Sequence, residues 1–389
     1  MKTLISRSFI QLLIQLALVS FQFFYFKFLN KSIEFKYFGE MAVLVSLTTI
    51  MSVFTNNNLS ILWHKGSESD KNIISDLLVF LHLVGAALLC LIMVIFVYEQ
   101  WPIWIIMSIS FILDSFHLRN KWILERNKKF GRVSVINSSA LLGSYAFMFF
   151  TVDLWPNSLG LSLVVLVAAV LRLLLFKPSV RLVAPKIVLL KPFMKEYRNL
   201  VALSGFNSFI WNLDKWIVLR TYGYNTLGVY SRLLTLIEMP LKASSAALSK
   251  LRFVYFIESR NPRRESNYIL VTNLVLNSVL MVFLVVYSKK LLYLVNIPVS
   301  IENVNLFSVL IWIFPARILI RDLDTYFKST ESTALSVFHK IFVIVLFLLI
   351  YALNKVLWVN SISLMVAALV SSSLIYLITY VLIQTKNGD

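Results

Sequence analysis

The stretch of residues 200–231 reads LVALSGFNSFIWNLDKWIVLRTYGYNTLGVYS. It begins as an apolar run of the length that crosses a bilayer, about 20 residues. Yet Asn207, Asn212, Asp214 and Lys215 lie inside the run, and a short glycine-containing turn follows it. A carboxylate within a transmembrane helix costs roughly 2.5 to 3.5 kcal/mol on insertion scales, so such residues face a bundle interior or a water-filled cavity. The stretch therefore predicts a membrane helix whose polar face borders something wet.

The rest of the chain supports that setting. Hydrophobic residues make up 59% of the 389, charged residues only 14%, and the mean hydropathy is +0.79. Soluble domains carry about 25% charged residues. Apolar runs of membrane-crossing length recur from end to end, which predicts an all-α, polytopic integral membrane protein. The formal charge of +18 then reflects Lys and Arg held at cytoplasmic loops, and nucleic acid is not an expected partner. Cys90 is the single cysteine, lies in an apolar run and can form no internal disulfide. The first twenty residues have a basic start but no small-residue cleavage site, and Gln11, Gln15 and Gln22 recur along one sector. They read as a retained first helix.

Twelve spans are expected, at about 9–29, 38–63, 73–98, 101–124, 133–152, 157–177, 200–220, 227–256, 267–288, 304–328, 335–354 and 359–383. With the N-terminus inside, the cytoplasmic connections hold most Lys and Arg, including the dense run from Arg119 to Arg132 and the stretch from Arg172 to Arg198. Both termini are thus expected in the cytoplasm. The first outer loop, with Lys27, Lys31 and Lys36, runs against that trend, and Lys289 and Lys290 also fall outside the cytoplasmic set. Extramembrane segments are short, leaving little room for a catalytic domain. The expected domains are an N-terminal six-helix lobe over 1–185, an amphipathic cytoplasmic linker over 186–199 containing KIVLLKPFMKEYRN, and a C-terminal six-helix lobe over 200–389. Phe38-Gly39 before EMAVLVSL parallels Leu227-Gly228 before VYSRLLTL. That spacing, near half the chain, predicts parallel repeats with a substrate site between them.

An Asp-Lys pair ending the seventh span, a short turn and then Leu-Gly-Val-Tyr-Ser opening the eighth resembles the polysaccharide flippases. These form the lipid-linked oligosaccharide branch of the multidrug/oligosaccharidyl-lipid/polysaccharide exporter superfamily. The matching positions are Asp214, Lys215, Gly228, Tyr230 and Ser231, with Tyr37-Phe38-Gly39 as a looser counterpart. The resemblance implies a fold like that of the multidrug and toxic compound exporters (MATE), with two pseudo-twofold-related lobes around a central cavity. It implies alternating access that moves an undecaprenyl-diphosphate-linked oligosaccharide repeat, of O-antigen or capsule type, to the outer leaflet of a bacterial inner membrane. A polysaccharide polymerase and a chain-length regulator are the protein partners it implies, beside membrane lipid. The chain departs from that pattern in lacking an arginine cluster in the first span. A cation-coupled multidrug exporter of the same superfamily is the alternative, and a polysaccharide polymerase a more distant one.

The eighth span carries the candidate site. Wound at 100° per residue, Ser231, Arg232, Thr235, Glu238, Lys242 and Ser249 fall within a sector of about 120°. Arg232 and Lys242 suit a diphosphate, arginine because its guanidinium bonds phosphate oxygens in pairs; alternatively both snorkel and Glu238 neutralises one of them. Pro240 is expected to kink this helix. In the seventh span Asn207, Trp211 and Asp214 share a face, and Asp214 contacts sugar hydroxyls, takes a proton or pairs with a base such as Arg232. Arg317, two residues after Pro315, is a further cavity candidate, whereas Arg321, Asp324 and Lys328 are spaced as an intrahelical ladder. Asp114 and His117, spaced i, i+3, are candidates for ion coupling or for a satisfied interhelical bond. No cofactor or metal is expected: there is no glycine-rich phosphate loop, and His64, His82, His117 and His339 are scattered. The chain is expected to be a carrier rather than an enzyme.

Overall fold

In a computed structural model of the chain, Val271, Val275, Val279, Val282 and Val286 all lie exposed on one helix at three- and four-residue spacing. Such a stripe is at rest only against lipid, whose tails demand no hydrogen bonds and accept a helix because it satisfies its own backbone. The structure describes residues 2–53, 59, 63, 68–96, 101–127, 129–177, 187–258, 262–313, 315–317, 319–320, 323, 333–357 and 361–386.

The described elements are all helical. They are α1 (Lys2–Ser32), α2 (Phe35–Ser52), α3 (Glu68–Phe96), α4 (Trp101–Arg126), α5 (Phe130–Thr151), α6 (Ser158–Phe176), α7 (Ile187–Glu258), α8 (Pro262–Val286), α9 (Ser288–Leu294), α10 (Ile301–Ile311), α11 (Thr333–Leu357) and α12 (Ser361–Lys386). Among the described residues five helices are long and apolar enough to cross a membrane, or six with the bent pair of α8 and α9 counted as one span. This is the all-α, multi-pass membrane architecture the sequence predicts.

The backbone contacts divide the chain into two compact units, Ser32–Lys215 and Met1–Lys31 with Trp216–Asp389. These cuts differ from those at residues 185 and 200 drawn from the sequence. In the first unit α3 to α6 alternate in direction. The chain ends meet accordingly: the Arg119 guanidinium near the end of α4 donates to Asn72 Oδ1 near the start of α3 (2.9 Å). The Asn120 amide donates to the carbonyls of Phe176 and Lys177 at the end of α6 (3.2 and 2.8 Å). These are the segments that the basic residues assign to one face. Beneath them Leu59, Trp63, Ile74, Leu77, Leu78, Leu118 and Trp122 form a buried cluster, with Tyr197 packed on it. At the start of α6, Asn157 Oδ1 accepts from the N–H groups of Leu159 (3.0 Å) and Gly160 (3.2 Å), satisfying donors that a helix leaves orphaned. Gly160 has no room for a side chain, because a Cβ there would collide with the Trp155 carbonyl oxygen.

In the other unit α7 leaves helical geometry at Gly223, where φ is +81° and ψ −178°. The break falls between the two spans expected at 200–220 and 227–256. Pro240, where a kink is expected, keeps helical backbone angles, whereas φ of +81° at Gly223 is open mainly to glycine. The 187–199 segment is helical and continuous with the arm that precedes Gly223. A second difference lies at the end of the ninth span, where α9 turns 76° away from α8 as a separate short helix. Helix α9 ends in a Schellman motif: Asn296 adopts φ +55°, Ile297 N–H reaches Leu292 O (3.0 Å) and Asn296 N–H reaches Tyr293 O (3.2 Å). Ile297 and Leu292 are both buried, the hydrophobic contact that accompanies this cap. The motif aims the Asn296 amide at the Lys27 carbonyl (3.1 Å), while Asn30 donates to Val295 O (2.6 Å). The end of α1 is thereby held to the turn after α9.

Candidate functional site

Within the unit that contains Trp216–Asp389, the arm of α7 beyond Gly223 presents the polar residues read from the sequence. Leu227, Tyr230, Leu233, Leu236 and Ile237 are each 0% exposed, so this arm is enclosed by protein over most of its circumference. Gly228 is buried four residues beyond Tyr224, as Gly39 is four residues beyond the start of α2. Arg232 is buried at 1% exposure. An arginine keeps its charge at any ordinary pH and carries five donors in a planar fork, so this arm holds a fixed positive group in a protein interior.

Glu238 and Arg317 meet. Arg317 Nη1 donates to Glu238 Oε1 at 2.6 Å, with side-chain exposures of 12% and 16%. The sequence placed both in the candidate site but offered Glu238 to Arg232 or Lys242; in the fold its carboxylate oxygen is engaged by Arg317, 79 residues away. Arg317 lies beyond the end of α10 at Ile311, in helical geometry two residues after Pro315. Thr235 lies on the same arm of α7. Its hydroxyl donates to Ser231 O one turn back (2.7 Å) and the residue is exposed, since a hydroxyl in an apolar setting takes the nearest carbonyl. The side chain of Lys242 and those of Pro240 and Ser249 lie outside the described residues, as do Arg321, Asp324 and Lys328.

In the unit Ser32–Lys215, Asp214 is buried at 4% exposure and its Oδ1 accepts from the Lys215 N–H at 2.8 Å. The Lys215 ammonium donates to Asn212 Oδ1 (3.1 Å), and Asn212 donates in turn to Ser208 O (2.7 Å). Asn207 is helical, but its side chain lies outside the described residues. Asp114 is close to His117 only in part. The nearest approach to His117 Nδ1 is 3.9 Å, whereas Arg172 Nη1 lies 3.1 and 3.3 Å from the two carboxylate oxygens of Asp114. His117 instead stacks on Phe176 at 5.2 Å. An arginine on α6 outcompetes an imidazole on the same helix because full opposite charge and a planar fork bond a carboxylate better. Sequence spacing could find the i, i+3 neighbour but not a partner 58 residues on.

One polar cluster escaped the sequence reading altogether. On α11 His339 is buried, stacks on Tyr376 of α12 (4.1 Å, 8° between planes) and lies with Nε2 2.9 Å from Ser372 O. Lys340 beside it is 0% exposed. The signal was the four-residue spacing of Ser372, Tyr376 and Tyr380, all buried on one face of an apolar helix. Among the described residues no group of three or more His, Cys, Asp or Glu is placed to hold a metal ion.

No protein-family model matches the sequence, and no curated protein matches it. The fold, however, is shared with solved transporters. A MOP superfamily transporter from Pyrococcus furiosus, whose binding pocket is described as having reversed polarity, superposes with a TM-score of 0.69 at 12% identity, covering 96% of this chain and 94% of that one. The lipid II flippase MurJ in an inward closed conformation gives 0.67 at 13% identity, covering 98% and 87%. A MATE protein in complex with MaL6 gives 0.66 at 13%, covering 100% and 97%. The chain therefore has the fold of MOP superfamily transporters over nearly its whole length.

Proposed function

We propose that this protein is a flippase that carries an undecaprenyl-diphosphate-linked oligosaccharide from the cytoplasmic to the outer leaflet of a bacterial inner membrane. The observation that carries the reading is Arg232, a guanidinium side chain buried at 1% exposure on the polar arm of α7. Maintaining such a charge inside a membrane protein is costly, and retention of one is the mark of a functional path. A diphosphate is the ligand chemistry that an arginine fork recognises best. Arg317 is held in orientation by Glu238 and adds a second guanidinium to the same unit, with Lys242 and Thr235 as further contacts to the sugar diphosphate. The likeness in fold to a lipid II flippase is consistent with a lipid-linked cargo.

In this mechanism the head group enters from the cytoplasm, the prenyl tail stays in lipid, and two six-helix lobes, 1–185 and 200–389 joined by the 186–199 linker, rock to expose the head outside. Asp114 and His117 are the groups proposed to couple an ion, with Arg172 as the counter-charge that Asp114 exchanges for it. Both termini face the cytoplasm, and a polymerase with its chain-length regulator receives the product.

A cation-coupled drug exporter is the competing assignment, supported by the likeness to MATE proteins. Loss of the gene in its host separates the two. The flippase reading expects lipid-linked repeats to accumulate on the cytoplasmic leaflet and surface polysaccharide to fall, with full restoration by the wild-type chain and poor restoration by Arg232→Lys. Unchanged polysaccharide combined with new sensitivity to cationic dyes would overturn it.

A further inference from the structure

The four lysines Lys27, Lys31, Lys289 and Lys290 are unexplained by the proposed transport path and go against the charge bias of the remaining loops. All four are exposed. They are distant in sequence, yet the two amide clasps, Asn30 to Val295 O and Asn296 to Lys27 O, bind the end of α1 to the turn that closes α9. Lys289 and Lys290 lie only one to two turns before that clasp. The four charges therefore share one end of this unit, with Glu302 as the acidic residue in the first turn of the next helix.

Both helices approach that end in the same order. On α1 the exposed Phe24, at 75%, is followed on the same face by Lys27 and Lys31. On α8 the exposed valine stripe ends at Val286, and Lys289 and Lys290 follow at once on the bent helix. Apolar residues facing outward and then lysines one turn later mark the depth at which hydrocarbon gives way to headgroups. Helix α9 fits that depth. It turns 76° from α8, buries Leu291 and Leu292 beneath it, and leaves Tyr293 76% and Leu294 48% exposed beside the lysines. Lys290 lies over the Tyr287 ring at 5.7 Å. An exposed tyrosine among cations, on a helix turned away from the crossing direction, is the composition of an interfacial segment.

We infer that the end of α1 and helix α9 form a binding surface for anionic phospholipid headgroups, with these four lysines as the phosphate contacts. The occupant is lipid rather than a soluble polyanion because the apolar flank of the patch, Phe24, Val286, Tyr293 and Leu294, matches acyl chains and has no counterpart in a soluble ligand. This surface does not depend on the flippase assignment and would serve any membrane protein of this shape. Each lysine near a charged surface contributes about a five-fold gain in affinity.

The test is titration of the purified full-length protein with phosphatidylglycerol or phosphatidylcholine, with bound lipid counted by native mass spectrometry. Changing all four lysines to Gln is expected to weaken phosphatidylglycerol binding by about 100-fold or more, from about five-fold per charge, and to leave phosphatidylcholine binding as it was. Changing the four to Arg is expected to retain the affinity, which separates charge from folding. The inference is overturned if the Gln variant binds phosphatidylglycerol normally. It is also overturned if Arg126→Gln/Lys129→Gln/Arg132→Gln, in exposed basic positions elsewhere, causes the same loss. Displacement of the lipid by millimolar inorganic pyrophosphate would assign the patch to a soluble phosphate and overturn it too.

Discussion

Removing one partner of the Glu238–Arg317 pair gives the most direct reading of what holds the candidate site. The contact is 2.6 Å long and both side chains are largely enclosed, at 16% and 12% exposure. Two unit charges about 4 Å apart attract by about 4 kcal/mol at an effective dielectric of about 20. Deleting one member of a buried pair costs about 3 to 5 kcal/mol, because the survivor remains desolvated and uncompensated. At about 2.1 cal/mol/K per residue, the 389 residues give an unfolding entropy of about 0.8 kcal/mol/K, so the expected loss is about 4 to 6 °C in Tm. The assay is a thermal melt of the purified protein for Glu238→Gln, Arg317→Gln and the double substitution. Each single change is expected to lower Tm by that amount and the double by little more than either. Additive losses in the double variant would refute the pairing. A charge swap, Glu238→Arg with Arg317→Glu, then separates fold from the proposed transport: stability is expected to recover in part while the proposed polysaccharide export does not, since the guanidinium has moved.

Asp114→Asn leaves Arg172 without the carboxylate it engages, in a pair less enclosed than Glu238–Arg317, at 35% and 26% exposure, and is expected to lower Tm by less than Glu238→Gln does; a loss as large as that of Glu238→Gln would show that the pair is structural. Gly160→Ala forces a Cβ onto the Trp155 carbonyl, whereas Gly131→Ala meets no atom within 4 Å, so a thermal melt should show a clear drop for the first and little change for the second. Asn157→Ala removes both N-cap hydrogen bonds of α6 and is expected to cost about 1 kcal/mol, read as a small fall in Tm that Asn157→Asp largely avoids.

Much of the fold could be read from the chain because membrane helices are specified locally. A run of apolar residues long enough to cross hydrocarbon must be helical there, whatever else it touches, so the spans near α4, α5 and α6 fall within a few residues of their expected ends. The break near Gly223 was legible for the same reason, as a glycine-containing turn between two spans. Helix α9 was not. Its seven residues, SKKLLYL, begin where the expected ninth span ends, and their 76° turn, with Leu291 and Leu292 buried, depends on packing that no local pattern announces. Ion pairs behaved in the same way. The i, i+3 spacing of Asp114 and His117 pointed to a neighbour, while the carboxylate took the stronger, sequence-distant Arg172.

Hydropathy along the chain was enough to establish an all-helical membrane protein and to mark the residues that are polar against the cost of burying them, Arg232, Glu238, Asp214 and Arg317 among them. Both are properties of single segments, governed by hydropathy and backbone satisfaction. Tertiary structure alone decided which of those charges meet: that Glu238 holds Arg317, that Arg172 holds Asp114, and that Lys27 and Lys31 share an end with Lys289 and Lys290. The physical reason is that a helix fixes neighbours three and four residues away, whereas a buried charge takes the best opposite charge in space, and packing between helices sets which one that is.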